Sequence, residues 1–188
     1  MVIVLIVTVV VLVVIGLWGM STYNGLVTLR NRVRNGWAQI DVQLKQRADL
    51  IPNLVETVKG YSGHESTVLT EVTRARAGVV EASGPDTTTE HRAAAENALS
   101  NALVNLRATA EAYPDLKADA NFMDLQNKLS ELEQKIAYSR QFYNDVVMKF
   151  NTSIEKFPAS IVAGIGHFES AQYFEVTERE AQTPMVKF

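Results

Sequence analysis

Val2–Lys59 reads VIVLIVTVVVLVVIGLWGMSTYNGLVTLRNRVRNGWAQIDVQLKQRADLIPNLVETVK, an uncharged segment that passes without a visible break into an amphipathic one. Val2–Met20 carries no charged side chain. Its 19 residues, at about 1.5 Å of rise each, match the roughly 30 Å hydrocarbon core of a bilayer. The run is rich in β-branched residues, which favour strands in water, but lipid offers no partner to the edge of a lone strand, so a membrane helix is expected. From Tyr23 a second pattern begins. Tyr23, Leu26, Arg30, Val33, Trp37, Ile40 and Leu44 recur at alternating spacings of three and four, one seam of a helix interrupted only by Arg30. The reading is one long rod that leaves the membrane and becomes the first packed helix of a bundle.

Composition narrows the function classes. The chain has 188 residues, a net charge of −3 and no cysteine. One domain of ordinary size remains after the membrane segment. The mildly acidic balance lacks the basic stripe of a nucleic-acid binder, so no nucleic-acid partner is expected. Without cysteine there is no disulfide framework, thiolate nucleophile or zinc knuckle, and no lipoprotein attachment. No basic residue precedes the apolar run, and it ends Leu17-Trp18-Gly19-Met20 rather than in a small-x-small site, which reads as an uncleaved anchor and not a signal peptide. Trp18 and Tyr23 stand where an interfacial aromatic belt belongs, and Arg30, Arg32 and Arg34 follow within reach of the positive-inside rule. This places the amino terminus outside and the domain in the cytoplasm. Gly16 and Gly19 lack the spacing of a close-packing GxxxG face.

Further along, Gln46–Val55 contains Pro52, which either kinks one helix or opens a new one capped by Asp49; the second is the expectation, with an offset near Ala48–Ile51. Ile51, Val55, Val58, Leu69 and Val72 carry an apolar face towards Ala77, across a stretch that Gly60 and Gly63 weaken. Glu81–Thr89 is the clearest loop, and Thr87-Thr88-Thr89-Glu90 has capping-box spacing. His91–Ala112 is expected as an alanine-rich helix with Ala95, Leu99, Ala102, Leu106 and Ala110 on one face, ended by Tyr113-Pro114-Asp115. Phe122, Leu125, Leu129, Leu132, Ile136, Ser139, Tyr143, Val146 and Phe150 form the most regular seam, with Glu131, Glu133, Lys135 and Arg140 elsewhere on the cylinder. It should stop near Phe157-Pro158. A short apolar helix and an irregular tail follow, whose aromatics Phe168, Tyr173, Phe174 and Phe188 must dock on the bundle or on a neighbouring subunit. The organisation read from this is an anchor over 1–20, a helical-bundle domain over 21–158 and a carboxy-terminal segment over 159–188. The fold class is all-α, an N-terminal transmembrane helix continuing into an antiparallel four-helix-bundle or coiled-coil domain.

Tyr23-Asn24-Gly25-Leu26-Val27, Leu29-Arg30-Asn31, Trp37 and Ile40–Lys45 resemble the LemA family of bacterial membrane proteins. So do Asp49–Tyr61 with His64-Glu65, and Asn121-Phe122, Leu125-Gln126, Ile136-Ala137-Tyr138, Arg140, Tyr143-Asn144, Phe157-Pro158 and Tyr173-Phe174. The likeness covers essentially the whole chain, with Asp-Leu-Ile-Pro-Asn-Leu-Val its most specific stretch. Gly36 before Trp37 departs from the expected alanine. The resemblance implies an amino-terminal membrane helix in a bacterial plasma membrane and a helical-bundle domain, and it carries over no catalytic residue.

The chemistry-bearing residues read mostly as structure. His64-Glu65 opens like a zincin motif, but Val68 stands where the second histidine belongs, so no metal is expected. Gly164-Ile165-Gly166-His167-Phe168-Glu169 starts like a dinucleotide fingerprint, yet Glu169 replaces the third glycine and no strand precedes it; a turn or loose helix and no cofactor are expected. The carboxylate pairs Glu131/Glu133 and Glu178/Glu180 fall two residues apart, on different helix faces, and read as solvated. Arg30, Gln43 and Asn144 intrude near the seams. For Arg30 a bundle carboxylate or a snorkelling pose competes with an intersubunit pair or lipid phosphates. Tyr61, Tyr113, Tyr138 and Tyr143 read as core or interface before they read as a ligand lining. The membrane and interface candidates are thus Trp18, Tyr23, Arg30, Arg32, Arg34, Trp37, Phe168, Tyr173, Phe174 and Phe188. The expected partners are the bilayer and further copies of the chain, with a membrane-protein partner as the adaptor alternative and an enzyme with an unrecognised site as the third.

Overall fold

The computed structural model describes residues 1–61, 66–84 and 87–174. Among them every regular element is a helix: α1 (Val2–Lys59), α2 (Ser66–Glu81), α3 (Thr89–Ala110), α4 (Pro114–Lys117), α5 (Ala120–Glu155) and α6 (Ala159–Ile165). The chain divides into two compact units, the first of Met1–Ala38 and Gln141–Tyr173, the second of Gln39–Arg140 and Phe174–Phe188.

In the first unit α1 begins as a bare apolar cylinder. Every residue from Met1 to Trp18 is exposed, and the span is long and apolar enough to cross a membrane. Its one hydroxyl before Trp18, Thr8, donates to the Val4 carbonyl at 2.9 Å, so it brings no unsatisfied group into that stretch. The amphipathic part then buries Leu26 and Val33. Gly36 is buried against Tyr143; a Cβ built there would sit 3.4 Å from Tyr143 Cδ2, so the close approach tolerates the alanine expected from the family.

α6 ends in a Schellman turn. His167 takes φ 49°, the Phe168 amide donates to the Ala163 carbonyl at 3.0 Å and the His167 amide to Gly164 at 3.2 Å. The glycine-rich stretch is therefore a helix stop, as its sequence reads. From it, residues 168–173 lie along α5: Asn151 exchanges two hydrogen bonds with the backbone of Ala171, at 2.8 and 2.9 Å, and the Tyr143 hydroxyl donates to the Gln172 carbonyl at 2.8 Å.

In the second unit the later part of α1 packs with α2, α3 and α5. Ile51, Leu54, Val58, Leu69, Val72, Leu99, Leu106, Phe122 and Leu129 belong to one aliphatic-rich core. Pro52 does not open a new helix, contrary to the expectation; α1 runs through it to Lys59. The physical reason lies opposite. Proline has no N–H for the carbonyl four residues back, and Arg76 of α2 supplies the missing donor, its Nε bonding the Ala48 carbonyl at 2.9 Å. The expected continuation across Gly60 is also corrected, since α1 ends at Lys59 and a new helix starts at Ser66; His64-Glu65 lies outside the described residues.

The α3 cap sits one residue later than the capping-box spacing suggests. Thr88, not Thr87, accepts from the His91 amide at 3.2 Å, leaving Glu90 as a first-turn charge that favours the helix dipole. Pro85 and Asp86 of the expected turn lie outside the described residues. Beyond α3, Pro114 does more than end a helix, because it occupies the first turn of α4. Asp119 then caps α5, its Oδ1 accepting from the Phe122 amide at 2.8 Å while Oδ2 accepts from the Tyr61 hydroxyl at 2.8 Å. These bonds hold the Asp119 carboxyl below its ordinary value, the Phe122 amide being the larger cause, and the same carboxylate raises the Tyr61 hydroxyl.

Candidate functional site

Two sets of side chains concentrate the polar and aromatic chemistry, one in each unit. In the first, Phe168 is the hub. Tyr23 meets it edge-on at 5.5 Å between centroids, Phe150 at 6.4 Å, and the Arg30 guanidinium lies 5.0 Å above its ring. Gly166 makes this approach possible: a Cβ there would fall 2.6 Å from the Phe168 ring and 3.0 Å from Tyr23. Within its own chain Arg30 therefore meets an aromatic face. Trp37 packs at 5.6 Å on Tyr143.

The other sequence candidates fall outside this cluster. Trp18, Arg32 and Arg34 are exposed on α1, and Tyr173 is exposed. Phe174, in the second unit, is fully buried under the Arg140 guanidinium, 5.0 Å from its ring centroid. Arg140, off the seam by its spacing, is nonetheless buried. Phe188, Glu178 and Glu180 lie outside the described residues.

The second unit holds what the sequence reading missed. Arg47 and Glu96 are 0% exposed, and they form an ion pair. Arg47 also donates to Glu133 and, at 2.9 Å, to Ser100. Arg92, buried as well, reaches Glu96 at 3.1 Å, Asp41 at 2.9 Å and the Ala82 carbonyl at 3.2 Å. Two guanidinium groups thus meet three carboxylates contributed by α1, α3 and α5. Glu133 keeps 41% of its side chain exposed but also accepts from the buried Arg47, a bond its spacing does not announce; Glu131 stays exposed and pairs with Lys135 at 2.7 Å.

A signal for this network was present. Ile40, Leu44, Arg47 and Ile51 continue the three-four spacing of the α1 seam, and Arg92, Glu96 and Leu99 continue the α3 face. Ser100 and Glu133 also border a cavity of about 270 Å³ between α3 and α5, walled by Leu54, Leu103, Leu106 and Phe122. The tyrosines considered as a lining do not form one: Tyr138 is 74% exposed, Tyr61 bonds Asp119 and Tyr143 bonds the tail. Among the described residues no group of three or more histidine or acidic side chains is placed to hold a metal.

An ion-pair network that spans three helices, with Arg47, Arg92 and Glu96 buried at its centre and Asp41 and Glu133 at its partly exposed ends, fits the role of holding helices in register. The profile of the LemA family matches residues 36–188, more than half of the chain. The chain belongs to the LemA family. Its similar proteins include the magnetosome protein MamQ 2 of Paramagnetospirillum magneticum, 26% identical in a match that covers 87% of this chain and 68% of that protein. The magnetosome protein MamQ of Magnetospirillum gryphiswaldense is 24% identical with the same coverage. Protein LemA of Metamycoplasma hominis is 24% identical over 157 residues, covering 84% of this LemA-family chain and 70% of its own. The family profile begins at Gly36, so the exposed apolar part of α1 lies ahead of the stretch it matches.

Proposed function

We propose that this LemA-family chain is a non-catalytic scaffold, anchored in a bacterial plasma membrane by residues 1–20, that works by assembling with further copies of itself. The observation that carries the reading is the exposed apolar cylinder from Met1 to Trp18, which water would penalise and a bilayer would accept. Arg30, Arg32 and Arg34 on one side of this span favour an amino terminus outside and the rest of the chain in the cytoplasm. The buried ion pairs support a structural role, since their charges are used on one another and not offered to a substrate.

Self-association is supported by apolar side chains left open to solvent. Val104 and Met123 in the second unit and Phe142 and Met148 in the first are exposed on packed helices. Confinement to a membrane raises the effective concentration of such faces for one another. The related magnetosome proteins carry a name tied to a cellular structure and not to a reaction, which agrees with a structural part. The adaptor alternative rests on the 270 Å³ cavity, whose apolar walls and Glu133 rim suit a side chain from a different protein.

The test is energy transfer between donor- and acceptor-labelled copies in phosphatidylcholine vesicles, followed as unlabelled lipid is added. Transfer that persists on dilution supports self-assembly. Transfer that falls to the value for randomly distributed chains would leave the adaptor reading in its place.

A further inference from the structure

α6 lies beside the end of the apolar span and leaves large apolar side chains open to solvent. Gly19, Met20, Tyr23 and Asn24 of α1 face Val162 and Ile165 of α6 across an open cavity of about 380 Å³. Ile161 and Ile165, one helical turn apart and so on one face, are 54% and 77% exposed, and Phe157 just ahead of the helix is 82% exposed. A soluble surface seldom shows three large apolar side chains so close together without a partner. Here the level at which they sit names the partner, because Trp18–Tyr23 is where the apolar run gives way to polar sequence.

We infer that α6 is a second membrane contact, a short interfacial helix that lays Phe157, Ile161 and Ile165 into the boundary between headgroups and acyl chains. The inference rests on the reading of residues 1–20 as a bilayer anchor. With that span across the hydrocarbon, residues packed against Gly19–Asn24 stand at the headgroup level, and apolar side chains there enter by about 5–10 Å. Lys156, exposed beside Phe157, is placed to meet lipid phosphates. The Schellman turn at Gly166–Phe168 then has a functional consequence. By pinning Phe168 to Tyr23 and Arg30, it fixes α6 against α1 and so fixes the depth of the apolar face.

The absence of native cysteine makes the test direct. Single cysteines at Ile161→Cys, Ile165→Cys, Val10→Cys and Gln134→Cys in the full chain are labelled with bimane and reconstituted in phosphatidylcholine vesicles containing spin-labelled lipids. The expected result is that the labels at 161 and 165 lose about half of their fluorescence to nitroxides near the headgroup, fitting shallow insertion, and less to deep ones. Val10 should be quenched by deep nitroxides and Gln134 by aqueous iodide alone. Iodide quenching at 161 and 165 equal to that at 134, with Val10 still lipid-quenched, would overturn the α6 contact and leave the anchor standing. Labels at 161 and 165 shielded from both lipid and iodide would mean that protein covers the face, which also overturns it. A Val10 label untouched by lipid would remove the anchor reading itself.

Discussion

Arg30 and Arg47 stand on the same helix, on the same seam, and the two units accommodate them by different means. In the first unit Arg30 is half-buried with its guanidinium over the face of Phe168, in an aromatic cluster with Tyr23 and Phe150. In the second, Arg47 is wholly buried and meets Glu96, Glu133 and Ser100. A ring face attracts a cation without surrendering a charge of its own, so no second charge has to be desolvated beside the arginine. A carboxylate partner inside a core must be desolvated together with the arginine. The pair holds only while each charge has its counterpart. The first arrangement is adjustable and modest in energy, whereas the second is rigid and intolerant of loss.

The largest predicted effect follows from that contrast. Arg47→Ala leaves Glu96 with Arg92 as its remaining guanidinium partner, opens a cavity where a fully buried side chain stood, and is expected to destabilise the second unit by about 3–5 kcal/mol. Hydrogen exchange should show lost protection throughout α3, while Trp37 emission, which reports on the first unit, changes little. Equal loss in both units would break the comparison. Next comes Phe168→Ala, which removes the hub of the aromatic cluster and is expected to cost the first unit about 3 kcal/mol, since a partly exposed phenylalanine sits at the low end for such truncations. Urea unfolding followed by Trp37 fluorescence in a Trp18→Phe background measures it.

Arg30→Gln keeps much of the stem and loses the charge above the ring, an expected cost of about 1 kcal/mol in the same assay. Arg30→Lys should recover most of that loss. Arg47→Lys should not recover the second unit, because an ammonium lacks the fork that serves Glu96, Glu133 and Ser100 together.

The smallest effect is a pH dependence. Asp119 is held below its ordinary value by the Phe122 amide and the Tyr61 hydroxyl, so its contribution is fully present above the unfolded carboxylate range. It is lost as pH falls through the lower folded value. The melting temperature of the native chain should exceed that of Asp119→Asn near neutral pH. The gap should close as pH falls below about 4. Tyr61 is shifted upward, so its share of the same hydrogen bond is present below its unfolded value and is lost as pH rises through the folded one.

Most of the architecture was legible because helical periodicity is a local property. The seam residues Leu26, Val33, Ile40, Leu44, Leu129, Ile136 and Phe150 are buried where their spacing puts them. Legibility failed where the deciding group lies far away in sequence. Nothing near Pro52 reveals that Arg76, on another helix, will satisfy the Ala48 carbonyl and let α1 continue. Arg47, Arg92 and Glu96 read as helix surface because a charged residue does so until its partner is known, although their spacing puts them on buried faces. Arg30 was marked by its seam position, but its partner Phe168 comes from the tail, more than a hundred positions on.

The measurement that tests the scaffold reading most directly is the light-scattering mass of the full chain, 20.8 kDa per copy, after gel filtration in mild detergent. A discrete assembly of several copies, unchanged in mass across a range of protein concentrations, is the predicted result. A mass equal to one chain at every concentration would contradict it.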